Sequence, residues 1–159
     1  MTFVVPFDGS DLAEVALVRA WEYGEAMDVD VVAISIISER KKYARRKGWI
    51  DEDEELDVDM VAKRLRDRVE SLTPGVTFEY DVIREFPPAE GIAGRIERMA
   101  LEYDPSLLFL GTDNIGRVAT PLTSVGNFAG AAESYDIQLV RHRRPPSIEF
   151  LEPHPDFYG

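Results

Sequence analysis

Apolar positions along the chain fall into short unbroken runs that alternate with longer stretches of helical spacing. Phe3 to Phe7 is the first short run, too brief for a helix, and it stops at Asp8-Gly9-Ser10, a turn whose serine can cap a helix. From Asp11 to about Met27 the residues Leu12, Val15, Ala16, Ala20 and Tyr23 recur at helical spacing. Asp11 and Glu14 lie near the positive end of the dipole. Val29 to Ile37 is nearly all apolar, as suits a parallel strand covered on both faces.

The same alternation continues to the C-terminal region. A helix is predicted from about Asp57 to Leu72, with Met60, Val61, Leu65 and Val69 on one stripe, ended by Pro74-Gly75. Val76, Phe78, Tyr80 and Val82 alternate along a third strand, Val76 to Ile83, in the manner of a half-covered edge strand. Pro87-Pro88 opens a helix through about Tyr103 that turns Ile92, Ile96, Met99 and Ala100 inward. Ser106 to Leu110 is a fourth strand, Ser124 to Ser134 a weak small-residue helix, and Ile137 to Val140 a last short strand. Strands alternating with helices imply right-handed crossovers and a five-stranded parallel sheet with helices on both faces, class α/β. One domain over residues 1–143 is expected. Pro145, Pro146, Pro153 and Pro155 mark 144–159 as an extended arm.

Composition narrows the functional classes. At 159 residues and 45% hydrophobic, the chain can bury a core without covalent staples. No window reaches the roughly 18 apolar residues of a membrane span, and the opening MTFVVPFDGS lacks a signal-peptide pattern, so a cytoplasmic protein is expected. With no cysteine and only His142 and His154, neither thiolate chemistry nor a metal site is expected. A net charge of −12 argues against a nucleic-acid surface. The only lysines are Lys41, Lys42, Lys47 and Lys63, and this arginine-heavy acidic balance resembles proteins of salt-accumulating archaea. An ordinary acidic mesophile protein is the alternative. Between 40 and 59 a basic cluster (Arg40, Lys41, Lys42, Arg45, Arg46, Lys47) precedes an acidic one, which reads as paired charge or a solvated excursion before it reads as a binding patch.

Ligands of open α/β sheets bind beyond the carboxyl ends of strands where the winding reverses. Asp8, at a strand tip, can accept from a ribose hydroxyl or a base amine, although Asp8-Gly9-Ser10 also suffices as a turn and cap. Gly111, Gly116 and the Thr123-Ser124 helix start offer backbone to an anion, or form an ordinary loop. The pattern GxxxxGK[ST] is absent, and no Ser/His/acid set is present, so no catalytic residue is nominated.

Four stretches, in order, resemble the universal stress protein family: Val4-Val5-Pro6-Phe7-Asp8-Gly9-Ser10, Ile34-Ser35-Ile36, Pro88-Ala89-Glu90-Gly91-Ile92, and Tyr103-Asp104-Pro105-Ser106-Leu107-Leu108-Phe109-Leu110-Gly111-Thr112. The resemblance spans roughly positions 2 to 143. It implies a homodimeric stress-response protein, paired through the last strand, that binds ATP or AMP without its own catalytic residues. Pro6, Asp8 and Ile36 would line the adenosine side, and Leu110, Gly111, Gly116, Thr123, Ser124 and Val125 the phosphates. Nucleotide-binding members carry glycine, two residues, glycine, nine residues, glycine, then serine or threonine. Here Asn114 replaces the second glycine, and Ser124 or, in a register one residue shorter, Thr123 replaces the third, a degenerate motif that implies weak nucleotide binding. A nucleotide-free module with a protein partner, using 40–59 and the arm, is the competing expectation.

Overall fold

The computed structural model describes residues 1–84, 89–111 and 135–142. Their elements run β1 (Thr2–Pro6), α1 (Asp11–Met27), β2 (Asp30–Ser38), α2 (Lys41–Arg46), α3 (Val58–Leu72), β3 (Thr77–Ile83), α4 (Ala89–Leu101), β4 (Pro105–Leu110) and β5 (Asp136–Leu139). Among the described residues the strands form one sheet in the order β3-β2-β1-β4-β5, every pairing parallel. β1 sits centrally, with Val4 opposite both Val32 and Leu108. The Pro87-Pro88 start of the third predicted helix, the predicted helix 124–134 and the arm 144–159 lie outside the described residues.

Period-two alternation on β1 divides the core between the two faces. Phe3, Val5 and Phe7 face a cluster built with α1, α2 and α3, while Val4 joins Ile34, Leu108 and the α4 residues Ala93, Ile96 and Ala100 on the other face. Phe109 closes the first cluster edge-on to Phe3 and Tyr23, with centroids 5.4 and 5.7 Å away. Burial of each such ring contributes on the order of 2–3 kcal/mol.

Local chemistry fixes the helix starts near the site. Ser10, extended at φ −68°, accepts the Ala13 N–H at its Oγ and begins α1. Asp57 does the same for α3, accepting from the N–H groups of Asp59 and Met60. The predicted stripes need two corrections. Met60 points outward, because Ala62 and Leu72 complete the inward face of α3. α1 is buried well beyond one stripe, including Arg19, which reaches the His142 carbonyl at 3.0 Å and ties the end of β5 to the helix.

Segment 40–59 departs furthest from a solvated excursion. Its charges do pair: Lys41 with Glu55 at 3.1 Å, Arg64 of α3 with Glu54 at 2.9 Å. Its underside, however, is core. Tyr43, Ala44, Trp49 and Ile50 are buried, Tyr43 and Trp49 meet edge-on at 5.7 Å, and Arg64 holds the Trp49 carbonyl at 3.0 Å. The sequence reading followed charge and passed over these apolar residues, spaced to anchor one short helix and its exit.

Candidate functional site

The winding of the sheet reverses between β1 and β4: from β1 the chain adds β2 and β3 on one side and β4 and β5 on the other. A crevice at the carboxyl ends of these two neighbouring strands is where an open α/β sheet receives a ligand. Asp8 follows β1 and Gly111 follows β4, so two of the sequence-predicted residues flank the reversal.

Asp8 is held by three donors from its surroundings. Phe7 first extends the sheet, its N–H bonding the Ile34 carbonyl at 2.7 Å. The chain then turns at Gly9, whose φ of +80° is in the left-handed region; a β-carbon there would also lie 3.2 Å from Leu65 Cδ2. This turn lets the Ser10 N–H reach Asp8 Oδ1 at 3.0 Å. Lys47 Nζ lies 2.7 Å from Asp8 Oδ2, and the Trp49 indole Nε1–H donates to the Asp8 carbonyl at 2.8 Å. The two ion-pair side chains keep only 22% and 20% of their surface, for Lys47 and Asp8 respectively.

Electrostatics sets the charge of this carboxyl. Burial alone raises its pKa, but the Lys47 ammonium, the Lys47 hydrogen bond and the bonds from Ser10 outweigh it, so Asp8 lies below the ordinary aspartate range. It is a carboxylate at neutral pH. Tyr43, under the same ammonium, is shifted up: burial raises it and Asp8 adds to that, against the lowering by Lys47 and Arg46. Lys47 Nζ stands 5.7 Å from the Tyr43 ring centroid, a cation–π contact that helps place it.

The other predicted residues are distributed unevenly. Pro6 ends β1 opposite Ile34, half-buried. Ile36 and Leu110 are buried in the α4-side cluster, whereas Trp49, Tyr43 and Leu65 beside Asp8 and Gly9 belong to the cluster on the other face. Gly111 packs against α1, where a β-carbon would come within 2.1 Å of the Leu12 carbonyl oxygen. Gly116, Thr123, Ser124 and Val125 lie outside the described residues, as does Asn114. Sequence reasoning missed Lys47 and Trp49 as site residues. The signal available was the last lysine of the basic cluster and a tryptophan flanking Gly48, with nothing to indicate a partner 39 residues upstream.

Among the described residues no cluster of His, Asp and Glu fit to hold a metal ion is present, and no helix is long and apolar enough to cross a membrane. A family model described as the universal stress protein family matches residues 1–128. Comparison with curated proteins gives no match. Among solved structures, a universal stress protein family member from Burkholderia pseudomallei is similar at a TM-score of 0.54 and 19% identity, covering 87% of this chain and 94% of that one. Universal stress protein UspA from Lactobacillus plantarum gives 0.51 and 16%, covering 89% and 97%. A universal stress protein from Archaeoglobus fulgidus gives 0.50 and 19%, covering 89% and 98%. At these identities the structural likeness speaks for the fold.

Proposed function

The chain belongs to the universal stress protein family, and from that premise we propose that it is a homodimeric regulatory binding protein of the cytoplasm that takes up an adenine nucleotide weakly and catalyses no reaction with residues of its own. The observation that carries the reading is the ionised Asp8 at the tip of the central strand, beside the point where the winding reverses. A carboxylate there accepts from a ribose hydroxyl or an adenine amine. Pro6 and Ile36 would line the adenosine side with it, and Leu110 the phosphates.

Weakness follows from the sequence beyond Gly111. Asn114 and Thr123 or Ser124 put side chains where glycines of nucleotide-binding members let backbone approach phosphate. Each weakened charge-assisted contact removes about 1.5–3 kcal/mol, and every 1.4 kcal/mol is about tenfold in affinity. Dimerisation is supported by β5, the sheet edge among the described residues, on which Leu139 is 45% exposed and Ile137 half-buried. Pairing of two such edges across a two-fold axis would cover them. Val140, just past β5, is fully buried.

Calorimetric titration of AMP and ATP, with mass analysis of small molecules released from freshly purified protein, tests the proposal. Millimolar-range binding lost in Asp8→Asn is expected. No heat at millimolar ligand, with no released nucleotide, would favour a nucleotide-free interaction module. In segment 40–59, Lys41 pairs with Glu55, Lys47 with Asp8 and Glu54 with Arg64, so these three charges are already engaged within the chain.

A further inference from the structure

All three oxygens of Asp8 already have donors: Ser10 N–H on Oδ1, Lys47 Nζ on Oδ2 and the Trp49 indole on the carbonyl. A ligand that reads Asp8 through a hydroxyl or amine therefore meets an acceptor engaged by a charge-assisted bond, the stronger class of hydrogen bond. We propose that Lys47 is the specificity-determining residue of the Asp8 subsite, a built-in donor that competes with a nucleoside for the carboxylate. The inference rests on the nucleotide reading above and names what limits it at the adenosine end, independently of the glycine loop.

The geometry makes displacement a side-chain event. Residues 43–50 are fixed from below by the buried Tyr43, Ala44, Trp49 and Ile50, and Arg64 holds the Trp49 carbonyl from α3. The Lys47 stem is a flexible four-carbon chain, and the side chain keeps 22% of its surface exposed. The ammonium can thus swing to solvent while the Trp49 bond keeps Asp8 in place. Removal of Lys47 would leave a half-buried carboxylate without its cation, an acceptor that a neutral donor then satisfies at greater gain. A lysine here also separates ligands by charge: it opposes a neutral nucleoside at Asp8, yet its displaced ammonium adds positive field for a phosphorylated one.

Adenosine, which carries no phosphate, reads this subsite alone. Titration into wild type, Lys47→Met, Lys47→Arg and the double variant Lys47→Met/Asp8→Asn, each shown folded by its melting transition, tests the proposal. Lys47→Ala replaces the methionine variant should that one fail to fold. Lys47→Met is expected to bind adenosine about tenfold tighter than wild type, and both Lys47→Arg, which keeps a cation on Asp8, and the double variant without that gain. ATP affinity should rise less than adenosine affinity. Equal or weaker adenosine binding by Lys47→Met beside measurable binding by wild type overturns the role of Lys47 and leaves the nucleotide reading standing. Absence of binding by every variant overturns both.

Discussion

A β-carbon placed on Gly111 would stand 2.1 Å from the carbonyl oxygen of Leu12 and 2.8 Å from the Ala16 β-carbon. Backbone cannot yield as a flexible side-chain tip can, so this glycine is demanded by the close approach of α1 to the end of β4. Gly111→Ala should cost about 3 kcal/mol by forcing the helix off the sheet, read as a lowered urea midpoint. Loss of ligand binding in this variant would report the displaced helix before it reported a phosphate contact. A midpoint unchanged from wild type would show that α1 does not pack this closely.

The Asp8 carboxylate ties stability to pH. Its pKa in the folded chain lies below the ordinary value of 3.8, so the folded state favours the ionised form. The stabilisation is full above the unfolded value and fades as pH falls through the depressed folded one. Asp8→Asn should therefore be less stable than wild type near neutrality by about 1–2 kcal/mol, with the two converging in acid below the ordinary aspartate range. Urea titrations along a pH series measure the difference. A gap that stays constant into acid would mean that Asp8 contributes through shape, not charge.

Much of the fold was readable because periodicity and packing agree. Asp11 to Met27 carried its cap at Ser10, and the nearly continuous apolar run from Val29 to Ile37 suited an interior parallel strand, which β2 is. β3 stood out as an edge strand by its alternation, and among the described residues it occupies one. Local pattern stops at contacts made across distance. Nothing near Lys47 in sequence requires Asp8, since the bond is created by α2 folding back over the strand end. Arg19 and Glu22 break the apolar stripe of α1 yet are buried, because the helix is covered on more than its sheet face. Gly111 was legible as a glycine in the right place, and its physical reason, the Leu12 carbonyl, was not.

Glu97 titrates in the opposite sense to Asp8. It is 5% exposed on α4, and the Tyr135 hydroxyl donates to its Oε1 at 3.3 Å. Burial raises its pKa, and the Tyr135 bond only partly offsets this. Tyr135 in turn is pushed up to about 12, first by burial and then by the Glu97 charge. A carboxyl raised in the folded state stabilises below its unfolded pKa and loses that contribution as pH rises through the folded one. Near neutrality the fold thus carries an ionised group it disfavours. Glu97→Gln keeps an acceptor for the tyrosine and should raise the melting temperature at neutral pH, with the advantage shrinking in acid. Thermal melts at both ends of that range decide it, and a destabilised variant at neutral pH would show that the carboxylate is better solvated than its burial implies.

Stability should also rise with simple salt. Thirty acidic residues face 18 basic ones, a net charge of −12 on 159 residues, and the repulsion among them opposes compactness. Salt has a second, contrary effect, since it weakens attractive pairs such as Lys63–Asp67 and Lys41–Glu55. Those pairs are largely exposed, each contributing at most about 1 kcal/mol, and they involve few of the acids. The uncompensated acids therefore dominate. Raising monovalent salt from 0.1 to 1 M shortens the Debye length from about 10 Å to about 3 Å, enough to quench repulsion between all but neighbouring charges. The melting temperature in molar potassium chloride should exceed that in dilute buffer by about 5 °C, roughly 1–2 kcal/mol for a domain of this size. Potassium chloride is the right probe because it screens without the strong surface exclusion of sulfate, which would strengthen apolar burial in any protein. A flat or falling midpoint across that range would show that the attractive pairs outweigh the acidic excess, and the reading of this composition as an adaptation to a salt-rich interior would fall with it.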